Sequence, residues 1–254
     1  MRYVLDISYH GGAYAGWQIQ PNAHTVQAEL EGAMKTFFGE EVSVMGAGRT
    51  DAGVHGKQLM VHFDREEELA LPFVHSLNGI LPGDLAVNAL YVAEDPEFHA
   101  RFSATHRAYI YQLVRKKSPL WPGLAMWVRH PLDLEAMQAA ARSLKDYESF
   151  GSFCKAHGAN KTNRCRIDHA YWEENGDLLC FHIGADRFLR GMVRAIVGTL
   201  LLVGAGKMSL EEFRAVIEAE DRTQAGPNAP AHGLFLTEVR YPEDSLRLIC
   251  RSGI

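Results

Sequence analysis

The sequence predicts an α+β fold in which one strand-helix-strand-strand-helix-strand unit is written twice. Three observations predict it. Apolar residues alternate with period two in short runs, helix-period stripes with start and stop signals lie between those runs, and the whole order recurs after about residue 104.

Residues 2–9 alternate, with Tyr3, Leu5, Ile7 and Tyr9 on one face of a strand. Thr25 is placed to cap a helix whose stripe is Val26, Leu30, Ala33, Met34 and Phe37, ending at Gly39. Strands are expected over 41–46 and 57–63, the second with Leu59, Val61 and Phe63 in step. An apolar helix over 70–80 stops at Pro82-Gly83, and 85–92 alternate through Leu85, Val87, Ala89 and Tyr91. In the second half a strand over 107–115 carries Tyr109, Tyr111 and Leu113 on one face. A helix over 133–144 aligns Leu134, Met137, Ala141 and Leu144. Strands over 164–173 and 178–184 flank the turn Asn175-Gly176-Asp177. A long apolar helix is expected over 188–203, and Ser209 with Glu212 reads as a capping box opening another. A last strand runs through 234–240.

Each half matches the ferredoxin-like plan, two helices over one face of a four-stranded antiparallel sheet. The expectation is two fused ferredoxin-like halves, 1–104 and 105–254. Their sheets would be continuous, mixed but mainly antiparallel, with helices on one face and a central cleft. A fold of this kind does not choose a function.

Composition narrows the class. With 47% hydrophobic and 22% charged residues, the 254-residue chain is neither disordered nor membrane-like. The longest apolar run, 195–203, is interrupted by Gly198 and Thr199 and falls far short of the ~18 residues a membrane span needs. No secretory core opens the chain, so a cytoplasmic location is expected. Cys154, Cys165, Cys180 and Cys250 form no Cys-x-x-Cys pair. Cys154, His157, Cys165 and His169 make a loose cluster whose spacing does not fit the usual zinc patterns, so free thiols and no metal are expected. Net charge is −5, yet residues 101–194 hold 15 basic against 9 acidic side chains, while residues 1–100 hold 5 against 14. An acidic protein can therefore still carry a basic middle suited to nucleic acid. Scatter of solvated charges explains that asymmetry equally well.

Between the expected strands at 41–46 and 57–63 lies Gly46-Ala47-Gly48-Arg49-Thr50-Asp51-Ala52-Gly53-Val54-His55. It leaves a strand without opening a helix, which argues against a dinucleotide or P-loop site. It displays Arg49, Thr50, Asp51 and His55 from a glycine-rich turn. Composition leaves two readings open, a structural turn whose aspartate bonds its own backbone and a reactive loop.

This stretch resembles the signature loop of the tRNA pseudouridine synthase A family. So does Tyr9-x-Gly11-x-x-Tyr14-x-Gly16-Trp17-Gln18, with Thr25-Val26-Gln27 resembling the family's first helix start. Phe98-His99-Ala100-Arg101-Phe102-Ser103-Ala104 with Tyr109-x-Tyr111 is similar to its central motif. The stretches from Phe188 to Gly198 and from Ala229-Pro230 to Gly233-Leu234-x-Leu236 are similar to its last two. The resemblance implies the pseudouridine synthase fold, a homodimer, no cofactor, and uridines of the tRNA anticodon stem-loop as substrate.

It also implies roles. Asp51 is the nucleophile, and Arg194, from the late helix, is the cation that keeps a carboxylate ionised when it is withdrawn from water. Tyr109 stacks on the target uracil, and Arg49 holds phosphate or fills the gap left by the flipped base. His55 is expected as a loop hydrogen-bonder and Tyr111 as core. Arg101, Arg107 and Arg190 lead the candidates for an RNA track, with Arg115, Lys116, Lys117, Lys155, Lys161, Arg164, Arg166 and Arg187 behind them. The alternative is a non-catalytic RNA-binding module on the same sheet, which leaves the Arg-Thr-Asp loop without a task.

Overall fold

A computed structural model describes residues 1–69, 72–155 and 162–253. The chain divides into two compact units, Met1–Thr105 with the residues from Leu236 onward, and His106–Phe235.

In the first unit Tyr3, Leu5 and Ile7 are buried on one face of β1 (Arg2–Tyr9), as their alternation requires. β1 pairs antiparallel with β3 (His55–Asp64), setting Phe63, Val61 and Leu59 opposite those residues, and with β4 (Leu85–Ala93) on its other side. α1 (Val26–Phe38) and α2 (Phe73–Ile80) turn Val26, Leu30, Met34, Phe73 and Leu77 inward. The rings of Phe38 and Phe73 reach that of Phe63 at 6.5 and 6.3 Å, so the helices cover this same sheet face. α1 begins and ends where its sequence signals. The Thr25 side chain accepts from the Ala28 amide, and Gly39 closes the helix at φ 75°.

Two strands differ from expectation. β2 covers only Met45–Gly46 of the expected 41–46 and pairs with His62 and Val61 of β3. Side chains of α1 take the preceding backbone instead, since the Val44 amide donates to Glu31 and the Val44 carbonyl accepts from Gln27. β10 (Leu246–Arg251), not expected at all, pairs antiparallel with β4. Its register shifts between Leu248 and Cys250, which breaks the period-two pattern that would have revealed it. Strand order in the first unit is β10-β4-β1-β3, with β9 (Leu234–Arg240) next to β3. β9 crosses the division, its first two residues belonging to the second unit.

The other face of this sheet carries buried polar groups. Asp6 accepts from Gln58 and Asn88, and burial pushes its carboxyl above the usual range. His62 accepts the Ala100 amide on Nδ1 at 3.1 Å, and its ring lies 4.7 Å from that of His99. Burial, with the charges of His99 and Arg2 adding to it, pulls the His62 imidazole down to about 4 from its ordinary 6.5. The unfolded chain therefore takes up this proton at a higher pH than the folded one. Stability should be whole above about 6.5 and fall as the pH drops toward about 4, by roughly 2–3 kcal/mol. Urea unfolding across that window measures it. His62→Gln, which keeps an acceptor but cannot ionise, should flatten the dependence; an equal slope in the variant would remove His62 as its cause.

In the second unit β5 (His106–Val114), β8 (Leu178–Ala185) and β7 (Ile167–Asn175) are antiparallel in the order β5-β8-β7. The hairpin joining β7 to β8 turns at Gly176, at φ 59°. A short β6 (Met126–Trp127) adds a parallel pair beside Leu113 and Val114. Tyr111 lies opposite Phe181 and both are fully buried. α3 (Leu134–Ser143) is capped by Asp133, and α5 (Leu210–Glu218) opens on the Ser209–Glu212 capping box. α4 (Met192–Gly204) starts four residues later than position 188, because Gly191 sits at φ 73° and breaks the helical backbone. β7 starts at Ile167 rather than 164. The preceding chain bonds elsewhere, through an Arg164–Ser149 bridge and the Cys165 amide on the Glu148 carbonyl. The fold class is α+β, with five α-helices among the described residues. No helix among them is long and apolar enough to cross a membrane.

Candidate active site

The Asp51 loop joins β2 to β3 and closes on itself through the Val54 amide, which donates to the Asp51 carbonyl at 3.1 Å. One short segment, 9–17, then grips it. The Tyr9 hydroxyl meets Thr50 Oγ1 at 2.9 Å in a buried contact. The Trp17 amide donates to the Thr50 carbonyl, and the Gly53 amide to the Tyr14 carbonyl. Gly11 donates its amide to His55 Nδ1 at 3.1 Å. Side chains at two positions would force the grip open. A Cβ on Gly11 would lie 2.0 Å from the Val54 carbonyl oxygen, and one on Gly16, at φ 101°, 2.5 Å from the Thr50 carbonyl oxygen. Tyr14 is itself anchored by Asp84 at 2.6 Å.

These contacts flank Asp51 on both sides without using its carboxylate. Thr50 and His55 are buried, Asp51 is half-buried and Arg49 is exposed. With Nδ1 accepting from Gly11, His55 cannot be doubly protonated while that bond stands. Its ring lies 4.5 Å from that of His10. His55 thus serves as a loop hydrogen-bonder. Spacing alone did not reveal that Tyr9, Gly11, Tyr14, Gly16 and Trp17 hold the loop. Their crowding into one short motif was the available signal.

In the second unit Tyr109 stands on β5 opposite Ile183, half-buried, with the Phe188 ring edge-on at 5.1 Å. Two residues along, the Tyr111 hydroxyl donates to the Pro230 carbonyl at 2.8 Å. Burial pushes the Tyr111 phenol up, and the positive charge of Arg194 acts against that shift. Arg194 belongs to the first turn of α4. Its Nε donates to the Ala229 carbonyl at 2.7 Å, while the Ala229 amide donates to the Arg194 carbonyl. The segment 226–230 lies directly on the helix, since Thr199 Oγ1 accepts the Gly226 amide at 2.9 Å. A Cβ on Gly198 would come within 1.7 Å of the Pro227 carbonyl oxygen. The two late motifs are thus halves of one packing arrangement that orients Arg194.

The basic candidates divide. Arg115 pairs with Glu174, Arg164 with Glu148 and Arg166 with Asp168. Arg107 donates to the Asp186 carbonyl at 2.9 Å, and the Arg187 amide donates to the Asp186 carboxylate. Arg101, Arg190, Lys116, Lys117 and Lys155 are exposed, and Lys161 lies outside the described residues. So does His157 of the Cys/His cluster. Among the described residues no group of three His, Cys, Asp or Glu side chains is arranged to hold a metal.

Comparison with known proteins follows the same lines. A family model described as tRNA pseudouridine synthase matches residues 140–242. The chain is 49% identical to the tRNA pseudouridine synthase A of Parabacteroides distasonis, covering 96% of this chain and 97% of that one. It is 48% identical to the protein of the same name in Bacteroides thetaiotaomicron, covering 96% and 91%. With that of Syntrophomonas wolfei it shares 43% identity, over 96% and 99%.

Proposed function

We propose, from the premise that this chain belongs to the tRNA pseudouridine synthase family, that it isomerises uridine to pseudouridine in the anticodon stem-loop of tRNA with Asp51 as its nucleophile. The family membership makes it an isomerase acting on tRNA. The observation that carries the residue assignment is the grip on the Asp51 loop, where Thr50 on one side of the aspartate and Gly53 and His55 on the other are fixed by the segment 9–17.

The reaction breaks the bond from uracil N1 to ribose C1′, turns the base and forms the bond from C5 to C1′; C5 gives up its proton and N1 takes one up, so the product is an isomer. Nothing is oxidised and no phosphate is consumed, so a carboxylate suffices as covalent catalyst, and the reading includes no cofactor. Arg194 is the cation that favours the ionised carboxylate, and its planar guanidinium, anchored through Nε, suits that role better than a flexible ammonium. Tyr109 stacks on the uracil, an interaction worth about 1–3 kcal/mol against the few needed to unstack and flip a nucleotide. Arg49, Arg101, Arg107 and Arg190 contact the RNA backbone. A homodimer in the cytoplasm completes the reading, since tRNA is larger than one such chain.

Chemical labelling of pseudouridine in tRNA incubated with the purified protein tests the activity. New label at anticodon-arm uridines is the expected result, and its absence would leave the RNA-binding module as the better description. For Arg194, the Met variant should lose at least about a hundredfold in turnover while still binding tRNA, and the Lys variant should keep part of the rate. Unchanged single-turnover rates in Arg194→Met would take that residue out of the chemistry.

A further inference from the structure

Among the described Phe, Tyr and Trp side chains, Phe102 is the most exposed, at 74%. Its exposure is not slack in the chain. The Ser103 amide donates to the His99 carbonyl at 2.9 Å, the His99 amide donates to Ser103 Oγ at 2.9 Å, and the Arg101 amide donates to His99 Nδ1 at 3.1 Å. The residues leading to Phe102 are rooted in the interior. Phe98 is buried and its carbonyl accepts from Arg2. Ala100 is fully buried between the His62 acceptor and the Tyr241 hydroxyl, which donates to its carbonyl at 2.7 Å. A pinned turn thus holds an apolar ring out in water, where leaving it costs the roughly 1.5–3 kcal/mol that burying a Phe would gain.

What surrounds the ring indicates what covers it. The His99 ring lies 4.4 Å from it and the Arg101 guanidinium 5.4 Å from its centroid. A lone aromatic flanked by an imidazole and a cation differs from a protein interface, whose apolar surface is contiguous. It has the composition of a stacking platform for nucleic acid, a flat π-face beside a positive charge that meets phosphate. We propose that Phe102, with His99 and Arg101, forms a second base-stacking platform that holds one unpaired nucleobase of the tRNA by its face. The proposal rests on the reading of this chain as a tRNA-modifying enzyme and adds a contact to it. Because every base has a π-face, the platform reads the presence of an unstacked base and not its identity.

The test compares Phe102→Ala, Phe102→Leu and Phe102→Trp in the full chain. Filter binding to tRNA over a range of salt, steady-state KM, thermal unfolding and sedimentation are measured on each. Phe102→Ala should weaken tRNA binding about 5- to 150-fold, the range a stacked base supplies, with a matching rise in KM. Phe102→Leu, apolar but without a π-face, should be nearly as weak, and Phe102→Trp should bind at least as well as the parent. Melting temperature should not fall, and the slope of affinity against salt should persist, since the phosphate contacts remain. Unchanged affinity in Phe102→Ala overturns the proposal. So does full affinity in Phe102→Leu, which would mean simple apolar contact. A shift of Phe102→Ala to a smaller species in sedimentation also overturns it, assigning the ring to an interface between copies of this chain. Labelling of parental reactions is scored separately. Absent pseudouridine there defeats the enzyme reading, whereas the binding series reports on the platform alone.

Discussion

Asp51→Asn should give a protein that binds tRNA like the parent and makes no pseudouridine. The substitution is isosteric, and several of the forces that shape the loop come from other groups. They run through the Thr50 hydroxyl and carbonyl, the His55 ring, the Gly53 amide and the Asp51 backbone carbonyl. The variant should therefore fold with an unchanged melting temperature. A neutral amide is no nucleophile at this reaction, so the loss should reach roughly 10⁴-fold or more, as removing a covalent catalyst does elsewhere. Quantitative labelling in single-turnover conditions, with enzyme in excess, measures it. Residual turnover within a hundredfold of the parent would end the nucleophile assignment.

Gly198→Ala should be the most damaging single methyl in the second unit. The added carbon would meet the Pro227 carbonyl oxygen at 1.7 Å and the Ala229 amide nitrogen at 3.3 Å, and neither can swing aside as a side-chain end can. Either α4 or the segment 226–230 must move. Overpacking of this kind costs about 1–3 kcal/mol when side chains yield, and a backbone clash should lie at or above the top of that range. The movement would break the Gly226–Thr199 bond and disturb the Ala229 carbonyl on which Arg194 rests, so activity should fall further than stability explains. Gly32→Ala in α1 is the matched control. Nothing lies within 4 Å of that Cβ position, and a helical glycine replaced by alanine should gain about 0.5–1 kcal/mol. Urea unfolding of both variants checks the pair. Equal stabilities would refute the account of how α4 packs.

Local signals carried much of the fold in the sequence. Thr25 and Gly39 bound α1, Ser209 and Glu212 open α5, and alternation marked β1, β4 and β5, because each of these depends on residues a few positions apart. Features decided by distant partners were hidden. β2 is short because Gln27 and Glu31, on the helix before it, claim the Val44 backbone, and β10 escaped notice through its register shift. The same division holds for the site. The resemblance of their motifs singled out Asp51, Tyr109 and Arg194 as candidates. The grip of Tyr9, Gly11 and Gly16 on the loop, the seating of Pro227 on Gly198, and the outward pose of Phe102 required a three-dimensional neighbour to be seen.

The split of β9 between the units governs how a nascent chain can mature. Strands β9 and β10 complete the sheet that carries Asp51, yet they emerge from the ribosome only after the intervening His106–Phe235, about 130 residues. At roughly 5–20 residues per second, the first-made strands wait on the order of ten seconds with an edge unzipped. During that interval they are a natural client for holdase chaperones, and a ribosome stalled before codon 234 would strand the half that was translated first, not the half being translated.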